Sequence, residues 1–190
     1  MVPFDVSGIV DLRDPRFSVQ RPERGTLVPW SCRLIRRVTS PATVRNLTPA
    51  DAEICDAIVA GLPDWFGVEQ GIRDCAEAVR HQPGAVAEVD GEVAGFLTWQ
   101  PIGEDAEITW MAVHADHRRR GLGRALMDAL MEMLRGQGVR ELHVKTLSAR
   151  TEHQPYAETR AFYLAMGFTA ARELDIWGPE NPAVLLTRSL

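Results

Sequence analysis

From residue 42 onward the chain alternates between two hydrophobic periods, and their order predicts its elements. Ala42 to Leu47 reads as a strand. Thr48-Pro49-Ala50-Asp51 then supplies an N-cap residue, a proline at the first helical position and an acid in the first turn, so a helix follows to about Ala60. Leu62 to Gly67 is a turn carrying Trp65 and Phe66, read as core packing, and Val68 to about His81 is a second helix despite Gly71. Ala85 to Val89, the Asp90-Gly91 turn and Glu92 to Trp99 alternate as a hairpin. A loop over Pro101 to Asp105 leads to a third antiparallel strand, Glu107 to Val113. Leu122, Leu126, Leu130, Met131 and Leu134 then recur at spacings of three and four, a helix stopped by Gly136 and Gly138. Glu141 to Leu147 is a strand that must cross over to lie parallel to 107–113. A short helix ended by Gly167 and strands near Phe168–Trp177 and Ala183–Leu190 complete the pattern.

Residues 1 to 40 follow no period. Pro3, Pro15, Pro22 and Pro29 interrupt them, and only Val28, Trp30, Cys32 and Leu34 alternate in a way that permits a strand. They are assigned as an N-terminal extension of unclear role, and residues 41–190 as one domain. A chain of 190 residues with 45% hydrophobic content is long enough for one well-buried core and short for two. Its net charge of -5 offers no global attraction to nucleic acid or an anionic membrane. Cys32, Cys55 and Cys75 are widely spaced and odd in number, which points to reduced thiols acting as small core hydrophobes in a cytoplasmic protein. Neither a membrane span nor a signal peptide is legible.

The chemistry concentrates where the period changes from strand to helix, across Arg118 to Gly123. Glycines at 121 and 123 permit positive φ and let a ligand approach without a Cβ in the way. The first free N–H groups of the following helix point into this turn, and the helix dipole favours an anion there by roughly 0.3–1 kcal/mol. Arg118, Arg119, Arg120 and Arg124 add guanidinium forks suited to phosphates. A Walker loop is excluded, because Arg124-Ala125 follows Gly123 where Lys-Ser/Thr is needed. Gly121, Gly123 and a downstream Glu141 fit part of a dinucleotide fingerprint, but bulky Leu126 stands at its last small position. Gln/Arg-x-x-Gly-x-Gly/Ala, met by Arg118, Gly121 and Gly123 directly after a strand, fits without exception.

This last pattern resembles the pyrophosphate-binding motif of the GNAT N-acetyltransferase superfamily, whose members bind acetyl-CoA. A second segment, Tyr156 to Phe168, is similar to that family's Asn-x-x-Ala-x-x-Phe-Tyr-x-x-x-Gly-Phe run. Phe162, Tyr163, Gly167 and Phe168 match it, while Tyr156 stands where the family often has Asn and Thr159 where it often has Ala. The two motifs, the hairpin before them and the final strands extend the resemblance over about residues 42 to 190. It implies an α/β (α+β) GNAT-like fold: a mixed, mostly antiparallel sheet with one parallel βαβ crossover and flanking helices. It also implies acetyl-CoA as donor, held by the backbone of Met111, Ala112 and Val113, by Arg118, Arg119, Arg120, Gly121, Leu122, Gly123 and Arg124, and by a phenol at Tyr156 and a hydroxyl at Thr159. The acetyl group would pass directly to an amine of a small molecule or peptide, with no nucleic acid or membrane as partner; a homodimer stays open.

Direct acyl transfer needs a deprotonated amine, an oxyanion donor and a proton for the leaving thiolate. Glu107, which opens the strand before the basic turn, is the candidate base, the other reading being a solvated strand-end carboxylate; Glu104, Asp105 and His114 are weaker substitutes. For the proton the resemblance implies Tyr163, whose phenol, with an ordinary pKa near ~10, is matched to a thiolate. No metal is expected, since His114 and His117 have no third ligand spaced with them. A non-catalytic acyl-CoA-binding or sensing module would need neither Glu107 nor Tyr163, so their joint presence favours an enzyme. Asp64, Glu69, Glu104, Asp105 and Glu107 suggest an acidic acceptor mouth that attracts a protonated amine.

Overall fold

The structure, a computed structural model, describes residues 42–190. The strand permitted by Val28 to Leu34 and the thiol of Cys32 lie outside the described residues. The elements run β1 (Thr43–Asn46), α1 (Ala52–Ala60), α2 (Glu69–His81), β2 (Gly84–Val89), β3 (Glu92–Ile102), β4 (Asp105–Val113), α3 (Leu122–Gly136), β5 (Glu141–Leu147), α4 (Gln154–Ala165), β6 (Thr169–Leu174) and β7 (Ala183–Ser189). They build one seven-stranded sheet in the order β1-β2-β3-β4-β5-β7-β6. Every pair is antiparallel except β4 and β5, which the α3 crossover makes parallel.

Alternation along the strands divides the core between two faces. Leu97, Ile108, Met111 and Val113 pack with Leu122, Leu126 and Leu130 of α3, and Phe162 and Tyr163 of α4 join them. On the opposite face Phe96, Trp110 and Ala112 pack with Cys55 and Ile58 of α1 and Cys75 and Val79 of α2. Thr48 and Asp51 form a capping box at the short 3-10 turn that leads into α1. Arg45 of β1 grips both carboxylate oxygens of Asp51 at 2.8 Å.

One boundary differs from the expected pattern. β3 continues past Trp99 to Ile102, and β4 begins already at Asp105, so the Pro101–Asp105 loop shrinks to a tight turn with Gly103 at φ +63°. Pro101 is tolerated because β2 ends opposite Thr98, leaving β3 a partner on one side only at that point.

Two irregularities in β4 position the site. Thr98 pairs with Trp110 but Trp99 pairs with Ile108, so Thr109 is the extra residue of a bulge, a feature that bends a strand and increases its twist. Parallel pairing with β5 is confined to Ala106, Glu107 and Ile108, opposite Leu142, His143 and Val144. Beyond the bulge β4 stays paired with β3 and β5 with β7, while β4 and β5 part company. The sheet thus opens into a V whose inner edge is the C-terminal half of β4.

Candidate active site at the open end of the sheet

The edge of β4 has a definite polarity. His114 N–H bonds to Ala94 O at 2.8 Å, and antiparallel alternation then sends the Ala112 and Trp110 amides toward β3 as well. The N–H groups of Met111 and Val113 therefore face the opening. Of the three residues expected to line it with their backbone, Ala112 turns its amide the other way.

At the end of that edge lies the basic turn. Gly121 sits at φ +84° as the N-cap of α3, and Arg119 also takes a positive φ of +62°. Gly121, Arg119, Arg120 and Arg124 are exposed, whereas Leu122 and Gly123 are buried against the sheet, so Leu122 contributes its backbone to the turn and its side chain to the core. Arg118 is half-buried, its Cζ 4.2 Å above the ring of Trp65. Trp65 and Phe66 do more than pack between helices: Phe66 stacks on Trp110, with centroids 6.1 Å apart, and both turn residues border a cavity.

That cavity, about 450 Å³, lies on the α1/α2 face at the mouth of the V. Its wall draws on the turn before α2 (Trp65, Phe66), the middle of β4 (Trp110), the start of α4 (His153, Tyr156) and the β6–β7 connection (Trp177). Tyr156 is buried and donates its phenol to Trp65 O at 3.0 Å; burial pushes its pKa well above the ordinary value. Thr159 donates to Pro155 O at 3.2 Å, inside its own helix and away from solvent. Trp110, His153 and Trp177 carry no motif and went unnoticed in the sequence, since only the crossover connection brings their segments together.

The two candidate catalytic side chains stand apart from this wall. Tyr163 is buried between Phe162 and Phe168, each centroid 5.4 Å away, in the cluster that holds Met111, Val113 and Leu122, so it belongs to the α3 side of the V. Desolvation raises its pKa well above that of a free phenol. Glu107 is neither solvated nor in the cavity wall: it is buried, and its carboxylate meets Lys145 Nζ of β5 at 2.7 Å.

The expected acidic mouth does not form. Asp64 borders the cavity, but Glu69 is exposed on α2 and pairs with Arg73. Glu104 pairs with Arg140, and Asp105 accepts the Glu141 amide at 3.1 Å, both at the N-terminal end of β4. The five residue steps from Asp105 to Trp110 span roughly 17 Å of strand. Asp105, Glu141 and His143 bring metal-ligand atoms within 4.8 Å of one another at that far end, and His114 and His117 take no part in the group. The two histidines instead meet edge to face, 5.7 Å apart, in the turn.

The sheet is opened beside one parallel strand pair, with a glycine-arginine turn and a helix N-terminus at its mouth. Residues 81–170 match the family model described as an acetyltransferase (GNAT) domain. The chain is similar to ribosomal protein bS18-alanine N-acetyltransferase of Escherichia coli, 32% identical over 82 residues, which are 43% of this chain and 51% of that protein. The chain thus spans about half the length of the curated relatives it matches. Among solved structures it resembles a GNAT-family acetyltransferase from Desulfovibrio desulfuricans, with a TM-score of 0.69, 23% identity, and coverage of 78% of this chain and 98% of that one. It also resembles an aminoglycoside 6'-N-acetyltransferase solved with coenzyme A, with a TM-score of 0.61, 15% identity and coverage of 77% and 96%. Among the described residues no helix is long and apolar enough to cross a membrane.

Proposed function

We propose that this chain transfers an acetyl group from acetyl-CoA to a primary amine by direct attack. The observation that carries the reading is the opening of β4 away from β5: two amides of one strand edge, those of Met111 and Val113, face a gap that ends at the anion turn of Arg118 to Gly123. The turn would take the pyrophosphate through its free N–H groups and arginines, and the strand edge would align the pantetheine arm. The thioester carbonyl would then lie by an N–H able to stabilise the oxyanion. The relatives' acetyltransferase names and the coenzyme A of one structural neighbour support the choice of donor.

In the step itself the amine nitrogen attacks the thioester carbon and gives up a proton to solvent, the tetrahedral intermediate collapses with breaking of the C–S bond, and the thiolate takes a proton. Tyr163, on the donor side of the V, supplies that proton. Burial keeps the phenol protonated in the resting protein, so a proton is present there to give. Glu107 is tied to Lys145 and lies outside the cavity wall, so Glu107→Gln lowers kcat less than Tyr163→Phe does. The test is free-thiol release from acetyl-CoA over a panel of amines, paired with calorimetry of CoA binding. Turnover supports transfer; CoA binding with no turnover for any amine leaves a binding module; no CoA binding overturns both.

A further inference from the structure

The cavity on the α1/α2 face has a wall that nothing in acetyl transfer demands. Five of the side chains around it present large aromatic rings: Trp65, Phe66, Trp110, Tyr156 and Trp177. Val68 and Ile176, two of the large apolar residues exposed among those described, stand at its border with about half their surface in water. Carboxylates are nearly missing from it. Asp64 is exposed at the border, and Glu69 and Glu107 are held by Arg73 and Lys145 elsewhere. The phenol of Tyr156 is spent on Trp65 O. Two polar atoms of the wall residues, Trp65 Nε1 and His153 Nδ1, are buried without a hydrogen-bond partner among the described residues.

We propose that this cavity selects an amine carried on an aromatic body, either a small arylalkylamine or a peptide amino group on an aromatic first residue. This rests on the transfer reading above and deepens it. Flat rings can pack against aromatic walls such as the Phe66–Trp110 stack, where offset and edge-to-face contacts add to simple burial. A chamber of about 450 Å³ accommodates such a body, and few polar groups are placed to orient it. A flexible polycation would find one exposed carboxylate and no apolar complement.

The experiment compares kcat/KM, with acetyl-CoA saturating, for 2-phenylethylamine, tryptamine and a tripeptide starting with phenylalanine against spermidine and a tripeptide starting with alanine. The aromatic acceptors lead by about ten-fold or more, and raising the salt does not erode the lead. Which aromatic acceptor leads separates the small-molecule source from the peptide source. Trp177→Ala, a half-buried residue of a connection rather than of the core, removes most of the lead while the KM for acetyl-CoA stays within about two-fold. Equal or better turnover of spermidine or the alanine peptide overturns the assignment, as does an aromatic lead untouched by Trp177→Ala. Calorimetric titration of 2-phenylethylamine into CoA-saturated protein separates the two readings. Heat that Trp177→Ala abolishes sustains the aromatic site even where no acetyl group moves, and its absence overturns the site even where some other amine turns over.

Discussion

Arg118 lies with its guanidinium carbon 4.2 Å above the indole of Trp65. One of these residues belongs to the glycine-arginine turn and the other to the cavity wall, so the proposed donor and acceptor sides share a contact. A partly desolvated cation–π pair of this kind contributes about 1 kcal/mol. Trp65→Ala should therefore weaken CoA binding about five-fold. Calorimetry with CoA measures this; unchanged affinity would show that the two sides are independent.

Gly121 holds φ at +84°, and a Cβ built there meets nothing within 4 Å. The cost of a side chain is thus conformational, about 1–2 kcal/mol or somewhat more for a β-branched one, and the fold survives it. Gly121→Val should abolish CoA binding with a modest fall in Tm, whereas Arg119→Ala should weaken binding only at low salt. A valine variant that binds CoA normally would remove the phosphate-loop reading.

Tyr163→Phe keeps the ring that packs between Phe162 and Phe168 and deletes only the hydroxyl. Protonation of the thiolate by that hydroxyl predicts a kcat lowered about ten- to a thousand-fold with CoA affinity nearly intact. Wild-type turnover would return Tyr163 to the core alone.

Asp51 accepts from Arg45, from the Thr48 amide at 2.9 Å and from the Thr48 hydroxyl at 2.8 Å. The Arg45 hydrogen bonds, joined by those of Thr48, hold its carboxyl well below the usual carboxylate range. A depressed folded pKa contributes stability that is complete above the unfolded value, near pH 4, and is lost as pH falls toward the folded one. Asp51→Ala should cost about 2–3 kcal/mol at pH 7, with the gap to wild type closing below pH ~4. Denaturant unfolding at pH 7 and pH 3 measures it, and an equal gap at both would sink the linkage.

Burial pushes the Cys55 thiol up to about 12 and the Cys75 thiol well above its ordinary value. In a Cys32→Ser background, a thiol reagent at pH 8 should label neither until denaturant is added. Labelling of the folded protein would show that α1 and α2 open locally.

Much of this architecture was legible because local chemistry and global pairing agree. Asp90 and Gly91 both take positive φ, as a two-residue hairpin turn requires, and the leucine spacing of α3 marks the face that meets the sheet. The end of β3 was not legible, because Pro101 reads as a stop unless the adjacent strand is known to be already finished. The role of Glu107 was hidden for a related reason. Its partner Lys145 lies 38 positions away, and only the parallel register that sets Glu107 opposite His143 puts both carboxylate and ammonium on one face. The acidic mouth failed on the same ground, since Glu104, Asp105 and Glu107 gather at the N-terminal end of β4 while Asp64 borders the cavity beside its middle. The aromatic cavity depends on four segments that share no period, so side-chain type alone did not reveal it.

The three-residue union of β4 with β5 makes the inner half of the sheet an unfinished ladder. Backbone donors left along such an edge are matched by whatever extended, amide-bearing chain comes to lie there, and an occupant of that sort works as a surrogate strand. The donor would then count among the protein's own building materials. Amide exchange at Met111 and Val113 should slow more on loading with CoA than anywhere in β1, β2 or β6, and the two wings of the sheet should melt as one unit only while it is in place.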